Sequence, residues 1–252
     1  MRFVRIATPS GMFFATMEAD KARQLEATPF TAPVYTGQEF APADYRLLAP
    51  MLPSKIIGIT KNGWTFKPPT AVIGPQAAVR VPAFAGDVEM LPGLAMVIAK
   101  PCKDVAPARW REAVIGFSLL ADVFAPNLAP DSNHKTHAAS LDTFCPLGPW
   151  IDSSFDPTES QLAADAAADL LLTVQRQSKD GANNHPETIF TVELSNLEAQ
   201  LSSAISQASA GITLLPGDII YIPMSSDSIA LHAGEAFTIE LSGLGSLEFK
   251  VS

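Results

Sequence analysis

The side chains in this sequence that could do chemistry are four histidines, two cysteines and a few acids beside apolar runs. Of His134, His137, His185 and His232, only the pair in His134-Lys135-Thr136-His137 has a spacing that could converge on one ion. A zinc site needs three or four ligands in matched geometry, so this stretch reads as a solvated polar loop. No Gly-rich phosphate cradle, G-x-S-x-G elbow or C-x-x-C pair is present. Cys145 reads as a buried inert thiol rather than a nucleophile, because thiol reactivity needs an electropositive, accessible setting. Metal-binding carboxylates are the remaining class, and Asp87, Glu89 and Asp122 are the candidates flanking apolar strands. Asp122 stands inside Leu-Leu-Ala-Asp-Val-Phe (119–124), where an unpaired charge is costly. A helix N-cap or strand-edge acid is the plainer reading of the same residue.

The elements that must position these groups are short. The chain has 252 residues with 21 prolines spread along it, so long helices are few. Arg2 to Met17 reads as a hairpin around Pro9-Ser10-Gly11, and Thr31 to Ala49 as loop. A boundary falls near Pro50 to Pro53, giving a small β-rich N-terminal domain over 1–50 and a larger one over 51–252. Lys55 to Thr60 is a buried-strand pattern, and Ala71 to Ile73, Ala78 to Pro82 and Leu94 to Lys100 are further short apolar runs. Ala108 to Val114 allows one or two helical turns before a strand over Ile115 to Val123. Ser160 to Leu172 and Ser203 to Ala210 have helical composition. Gly217 to Ile222, Ala236 to Leu241 and Ser246 to Val251 alternate as strands. Many strands and few helices predict an α+β fold built on a rolled sheet.

Composition excludes whole classes of function. With 47% hydrophobic residues and a mean hydropathy of +0.18, there is ample material for a packed core rather than a disordered chain. Lys plus Arg is 17 against 26 for Asp plus Glu, a net charge of -9, so nucleic acid is not an expected partner. No apolar run approaches the ~18 residues that cross a bilayer, and the start MRFVRIATPSG lacks the apolar core of a signal peptide. A cytoplasmic protein with free thiols and no membrane partner is expected. Trp64, Trp110 and Trp150 read as packing residues, and Glu193, Glu198 and Asp165 as solvated faces.

Several strings carry a resemblance. LLAPMLPSKIIGITKN (47–62), KPPTAVIGP (67–75), LAMVIAK (94–100), LDTFCPLGPWI (141–151) and LLPGDII (214–220) resemble the fumarylacetoacetate hydrolase family in content, order and distance. The closing GEAFTIELSGLGSLEFKV is similar to that family's C-terminal strands, and the likeness runs over nearly the whole chain. It implies a mixed, mostly antiparallel sheet rolled into a partly open barrel, a homodimer, and a magnesium or manganese ion held by three acids. The ion would polarise an enolisable carbonyl of a small oxo acid. Such members hydrolyse acylpyruvates or fumarylacetoacetate, decarboxylate oxaloacetate, or isomerise 2-hydroxyhepta-2,4-diene-1,7-dioate.

At the positions that do this chemistry the sequence departs from the family. The first two ligands, in E-x-E-L-A-V-V-I-G-K, fall on Leu91 and Gly93, or on Glu89 and Leu91 if two residues are inserted. The third falls on Asp122, without the Thr-Ala-Arg-Asp that usually follows. The segment N-Y-x-x-H-x-x-E, which supplies a His and Glu to activate water, is missing, because Lys61-Asn62 runs directly into Gly63. The family lysine falls on Ala139, with Lys135 nearby, and the T-G-T-P loop is replaced by Tyr221-Ile222-Pro223-Met224.

Two functions follow from the resemblance. One is a catalytically degenerate member without a cofactor, acting as a dimeric scaffold or as a binder of a small carboxylate ligand in a remnant cleft. The other is a divergent magnesium- or manganese-dependent hydrolase, isomerase or decarboxylase. It would use Glu89, Asp87 and Asp122 as a shifted metal site, with His134 or His137 as base and Lys135 at hand.

Overall fold

The computed structural model describes residues 1–19, 21–60, 63–130, 134–158, 170–178 and 185–252. The chain opens with the expected hairpin: β1 (Arg2–Thr8) and β2 (Gly11–Glu18) pair from Arg2↔Met17 to Thr8↔Gly11. Next come β3 (Lys21–Leu25), β4 (Tyr35–Phe40) and β5 (Arg46–Leu48), the last paired with β1. The loop expected over Thr31 to Ala49 is thereby corrected, since it holds two strands. The four central residues of β4, Thr-Gly-Gln-Glu, are all exposed, so no apolar alternation marks this edge strand.

The larger part begins with β6 (Ile56–Thr60) and β7 (Gly63–Lys67), then the short β8 (Val72–Ile73) and β9 (Ala78–Val79). Two eleven-residue strands follow, β10 (Val88–Ile98) and β11 (Val114–Phe124), joined through a 3-10 helix over Pro107–Ala113. The short helix α1 (Lys135–Ala139) leads to β12 (Cys145–Asp152), and β13 (Leu171–Gln177) pairs with β14 (Glu187–Glu193). After α2 (Leu197–Ser209) come β15 (Ile219–Pro223), β16 (Ile229–Leu231), β17 (Ala236–Leu241) and β18 (Gly245–Val251). The helix expected over Ser160 to Leu172 lies largely outside the described residues, as does Asp165. Its last two residues begin β13.

The main sheet runs β4-β3-β2-β1-β12-β11-β10-β15-β6-β7, and the smaller one β14-β13-β17-β18-β9. The pairs β6·β15, β8·β12 and β9·β18 are parallel, and the other described pairs are antiparallel. The sheet is mixed and mostly antiparallel as expected, but it stays open between β4 and β7 instead of closing into a barrel. Around β10, β11 and β15 alternation splits the side chains between two cores. Leu94, Met96, Ile220 and Ile222 pack on one face with α2, whose buried residues Leu197, Leu201, Ala204, Ile205 and Ala208 follow the helical period. Ala95, Val97, Leu120, Ile219, Tyr221 and Cys145 pack on the other. Glu198 is not merely solvated: it accepts from Trp110 Nε1 at 2.9 Å and Arg111 Nη2 at 2.6 Å, tying α2 to the 3-10 helix. Trp110 is a packing residue, only 2% exposed, whereas Trp64 stands 39% exposed on β7.

The N-terminal strands extend the main sheet, because β1 pairs with β12 at Arg2↔Asp152. The buried Asp152 carboxylate accepts from Arg2 Nε at 3.0 Å and from Ser154 N at 2.9 Å and Oγ at 2.6 Å. Burial alone would push this carboxyl up, but the hydrogen bonds from Ser154 and Arg2 and the nearby N-terminal charge hold it below its ordinary value. A lowered folded value gives stability that is present above the unfolded carboxylate range near ~3.9 and lost as pH falls through the folded value. Asp152→Asn is therefore expected to be less stable than the parent at pH 7, with the gap closing below about pH 4. Urea melts at pH 7 and pH 3 check this, and an equal gap at both would contradict it.

Candidate functional site

One face of the main sheet brings together residues far apart in sequence. Antiparallel pairing sets Leu91 on β10 opposite Asp122 on β11, with Glu89 opposite Phe124 and Gly93 opposite Leu120. Because side chains alternate, Glu89, Leu91 and Gly93 share the face of Asp122. On the other side of β10, Tyr221 of β15 is opposite Ala95 and beside Gly58 of β6, which in turn pairs with Thr65 of β7. By the same period Tyr221 lies on this face.

The buried group at the centre was not singled out by sequence. Lys67, at the end of β7, is 0% exposed, and its Nζ lies 2.8 Å from Asp122 Oδ1. An ammonium has three hydrogens, and those of Lys67 go to the carbonyls of Val123 at 2.7 Å, Ala139 at 2.8 Å and Phe144 at 3.1 Å. Asp122 Oδ1 accordingly receives the charge of Lys67 without a hydrogen bond of its own. β7 and β11 are separated in the sheet order by β10, β15 and β6, so this contact spans the curl of the sheet.

Tyr221 completes the network. It is fully buried, and its hydroxyl lies 2.7 Å from Thr65 Oγ1, within the influence of the Asp122 charge. Burial first, and then the nearby Asp122 charge, hold the phenol well above its usual value. Tyr221 is thus a neutral donor at neutral pH. Gly58 makes room for it, since a Cβ there would stand 2.3 Å from Tyr221 Cζ.

The other sequence candidates are dispersed. Glu89 is half-buried and accepts a short hydrogen bond from Ser228 Oγ. Asp87 precedes β10 and is exposed. The segment read as a solvated loop is partly helical: His134 is the N-cap of α1 and His137 lies in its last turn, both exposed, with Lys135 half-buried. Among the described residues no group of three His, Cys, Asp or Glu is placed to hold a metal ion. Where the family's lid segment would be inserted, β6 and β7 pair out to Thr60↔Gly63, a two-residue connection. Ala139 offers only its backbone carbonyl, and Ile222 and Met224 are buried in the apolar core.

A magnesium or manganese ion wants about six oxygens, mostly carboxylate and water. This face offers Asp122, already beside an ammonium, and Glu89, engaged by Ser228, with the apolar Leu91 between them on β10. That donor set does not fit the ion.

The thiols are shielded. Burial pushes Cys145 up to about 12 and raises the half-buried Cys102 as well. Iodoacetamide at pH 8 is expected to label Cys102 slowly and Cys145 only at the unfolding rate. Peptide mass spectrometry reads this out, and rapid labelling of Cys145 in the folded chain would contradict it.

Residues 59–252 match the family described as fumarylacetoacetate (FAA) hydrolase C-terminal, and residues 1–50 match the Rv2993c-like N-terminal family. The chain belongs to the fumarylacetoacetate hydrolase family. It is 31% identical over 273 residues to Protein Rv2993c of Mycobacterium tuberculosis, covering 98% of this chain and 96% of that protein. The structure of 5-carboxymethyl-2-hydroxymuconate delta-isomerase from Mycobacterium smegmatis is similar at 33% identity and a TM-score of 0.87, covering 100% of this chain and 99% of that one. A maleylpyruvate hydrolase from Sphingobium sp. SYK-6, in complex with manganese(II) ion and pyruvate, shares the fold at 23% identity and a TM-score of 0.74, covering 100% and 98%. No described helix is long and apolar enough to cross a membrane.

Proposed function

We propose that this chain is a catalytically degenerate member of its family, acting as a dimeric scaffold or as a binder of a small carboxylate. The observation that supports the reading is the pairing of Asp122 with the buried Lys67 ammonium at 2.8 Å, while Leu91 faces it across the β10·β11 ladder. A carboxylate that ligates a hard cation needs a free oxygen and further oxygen donors beside it. Here the carboxylate's charged partner is internal, and β6 and β7 pair out to Thr60↔Gly63 where the general-base segment would be inserted.

Calorimetric titration of the chelator-treated chain with magnesium and manganese tests this, with melting followed in the same buffers. A ligand that binds only the folded state raises stability with the logarithm of its concentration over its dissociation constant. The expected result is no saturable binding at millimolar metal, together with a dimer in sedimentation velocity. Saturable binding that raises the melting temperature and is lost in Asp122→Ala would overturn the proposal.

That outcome would favour the second reading, a divergent metal-dependent isomerase, hydrolase or decarboxylase of small oxo acids. Its support is the retention of Asp122 with Glu89 on the same face, and the full-length likeness to a structure named as an isomerase. Turnover of oxaloacetate and acylpyruvates would then be the assay.

A further inference from the structure

We propose that a second cavity, just past the C-terminal end of β10 and lined by Lys100 and Lys103, binds a small phosphate ester. The cavity holds about 290 Å3 and lies between the segment that follows β10 and the 3-10 helix over Pro107–Ala113. Cys102, Val105 and Ala113 form part of its wall. Leu91 and Ile98 are seven residues apart on β10, roughly 23 Å at the ~3.3 Å rise of a strand, and Lys100 lies beyond Ile98. The site is therefore remote from Asp122, and it stands whether or not that carboxylate holds a metal.

Charge runs against the rest of the chain here. The net charge is -9, yet four of the 17 lysines and arginines fall within residues 100–111, a local reversal that attracts anions. Of the charged side chains around the cavity, Arg109 is engaged by Glu112, through Nε at 3.0 Å and Nη2 at 2.7 Å. Asp104 Oδ1 accepts from Gly211 N at 2.7 Å. Lys100 and Lys103 are exposed, and among the described residues neither has a carboxylate within ion-pair distance. Two free ammoniums are compact point charges that suit a phosphate, whereas a flat carboxylate is best met by an arginine fork, and the one arginine here is already paired. The wall is also fixed in advance. Cys102 and Leu214 exchange backbone hydrogen bonds at 3.0 and 2.8 Å, and Ser209 accepts from Asp104 N at its carbonyl and from Val105 N at its hydroxyl, both at 2.9 Å. A ligand entering the cavity would not have to order this loop, which favours binding.

Glycerol 2-phosphate is the probe, titrated calorimetrically into the full chain at pH 7.5 with ionic strength held constant by sodium chloride. Cys102 lines the cavity and gives a local readout, the rate of its alkylation by iodoacetamide followed by peptide mass spectrometry. The expected result is saturable binding with a millimolar or lower dissociation constant and at least threefold slower alkylation of Cys102 at saturation. Lys100→Gln/Lys103→Gln should raise the dissociation constant at least tenfold, while Lys250→Gln, on the exposed side of β18, leaves it unchanged. Absence of saturable binding by the unmodified chain overturns the proposal, as does binding that the double variant retains or that leaves the Cys102 rate unaltered. Succinate binding as tightly as glycerol 2-phosphate overturns the assignment to a phosphate. Circular dichroism establishes folding, and if the double variant fails to fold, Lys103→Gln alone is read by the same comparison with Lys250→Gln.

Discussion

Lys67→Met is expected to lower the unfolding free energy by about 3–5 kcal/mol, the range for breaking a buried ion pair from one side. Lys67 is 0% exposed and Asp122 3%, so the abandoned carboxylate has no water to turn to. The carbonyls of Val123, Ala139 and Phe144 lose their donor in the same step, and each unsatisfied buried acceptor adds to the penalty. Adding Asp122→Asn removes the uncompensated charge while keeping the size of the side chain. The double variant should recover part of the loss and not all of it, because the three carbonyls stay unpaired. Urea denaturation of the parent, both single variants and the double variant gives the cycle. Purely additive losses would mean that Lys67 and Asp122 are not a pair.

This network also marks where sequence reasoning stopped. Strands with an apolar period were legible: the β1–β2 hairpin, β6, β17 and β18 lie at or within a residue or two of the expected bounds. The alternation was lost where a strand was polar, as in β4, or carried a breaker. β10 starts six residues before the expected Leu94 and runs through Pro92 and Gly93. Pro92 is tolerated because β16 pairs with residues 88–90 and β15 with 93–97, so its missing N–H faces the gap between two partners. Its carbonyl on that edge accepts from Met224 N at 2.8 Å.

The candidate site divided in the same way. Asp122 drew attention as an acid in an apolar run, and the structure gives it a partner as that context demands. Lys67 did not, because a lysine before two prolines is ordinarily exposed. The available signal was parity: Lys67 shares the face of Thr65 on β7, opposite the exposed Trp64 and Phe66. Tyr221 was counted only as part of a replaced loop, since its hydroxyl is invisible within an apolar Ile-Ile-Tyr-Ile run. Its partner Thr65 is 156 residues away in the chain, and only the fold unites them.

The other large effect is expected at Gly58, where one methyl group meets the same network. A Cβ there would lie 2.3 Å from Thr65 Oγ1, 2.3 Å from Tyr221 Cζ and 2.4 Å from the Tyr221 hydroxyl oxygen, all far inside van der Waals contact. Thr65 could rotate its hydroxyl away, but Tyr221 is a rigid ring, fully buried and tied at its tip to Thr65. Gly58→Ala should therefore displace the ring and break that hydrogen bond, at a loss near the upper end of the ~1–3 kcal/mol typical of overpacking. Tyr221→Ala is itself destabilising through its cavity, yet it removes the obstacle. In that background the further change Gly58→Ala should be nearly neutral. The positive coupling expected in this cycle, about 1–3 kcal/mol, separates a specific collision from a general intolerance of β6 to alanine. An unchanged loss in the Tyr221→Ala background would locate the strain in the strand itself, and the tyrosine would then not be what Gly58 accommodates.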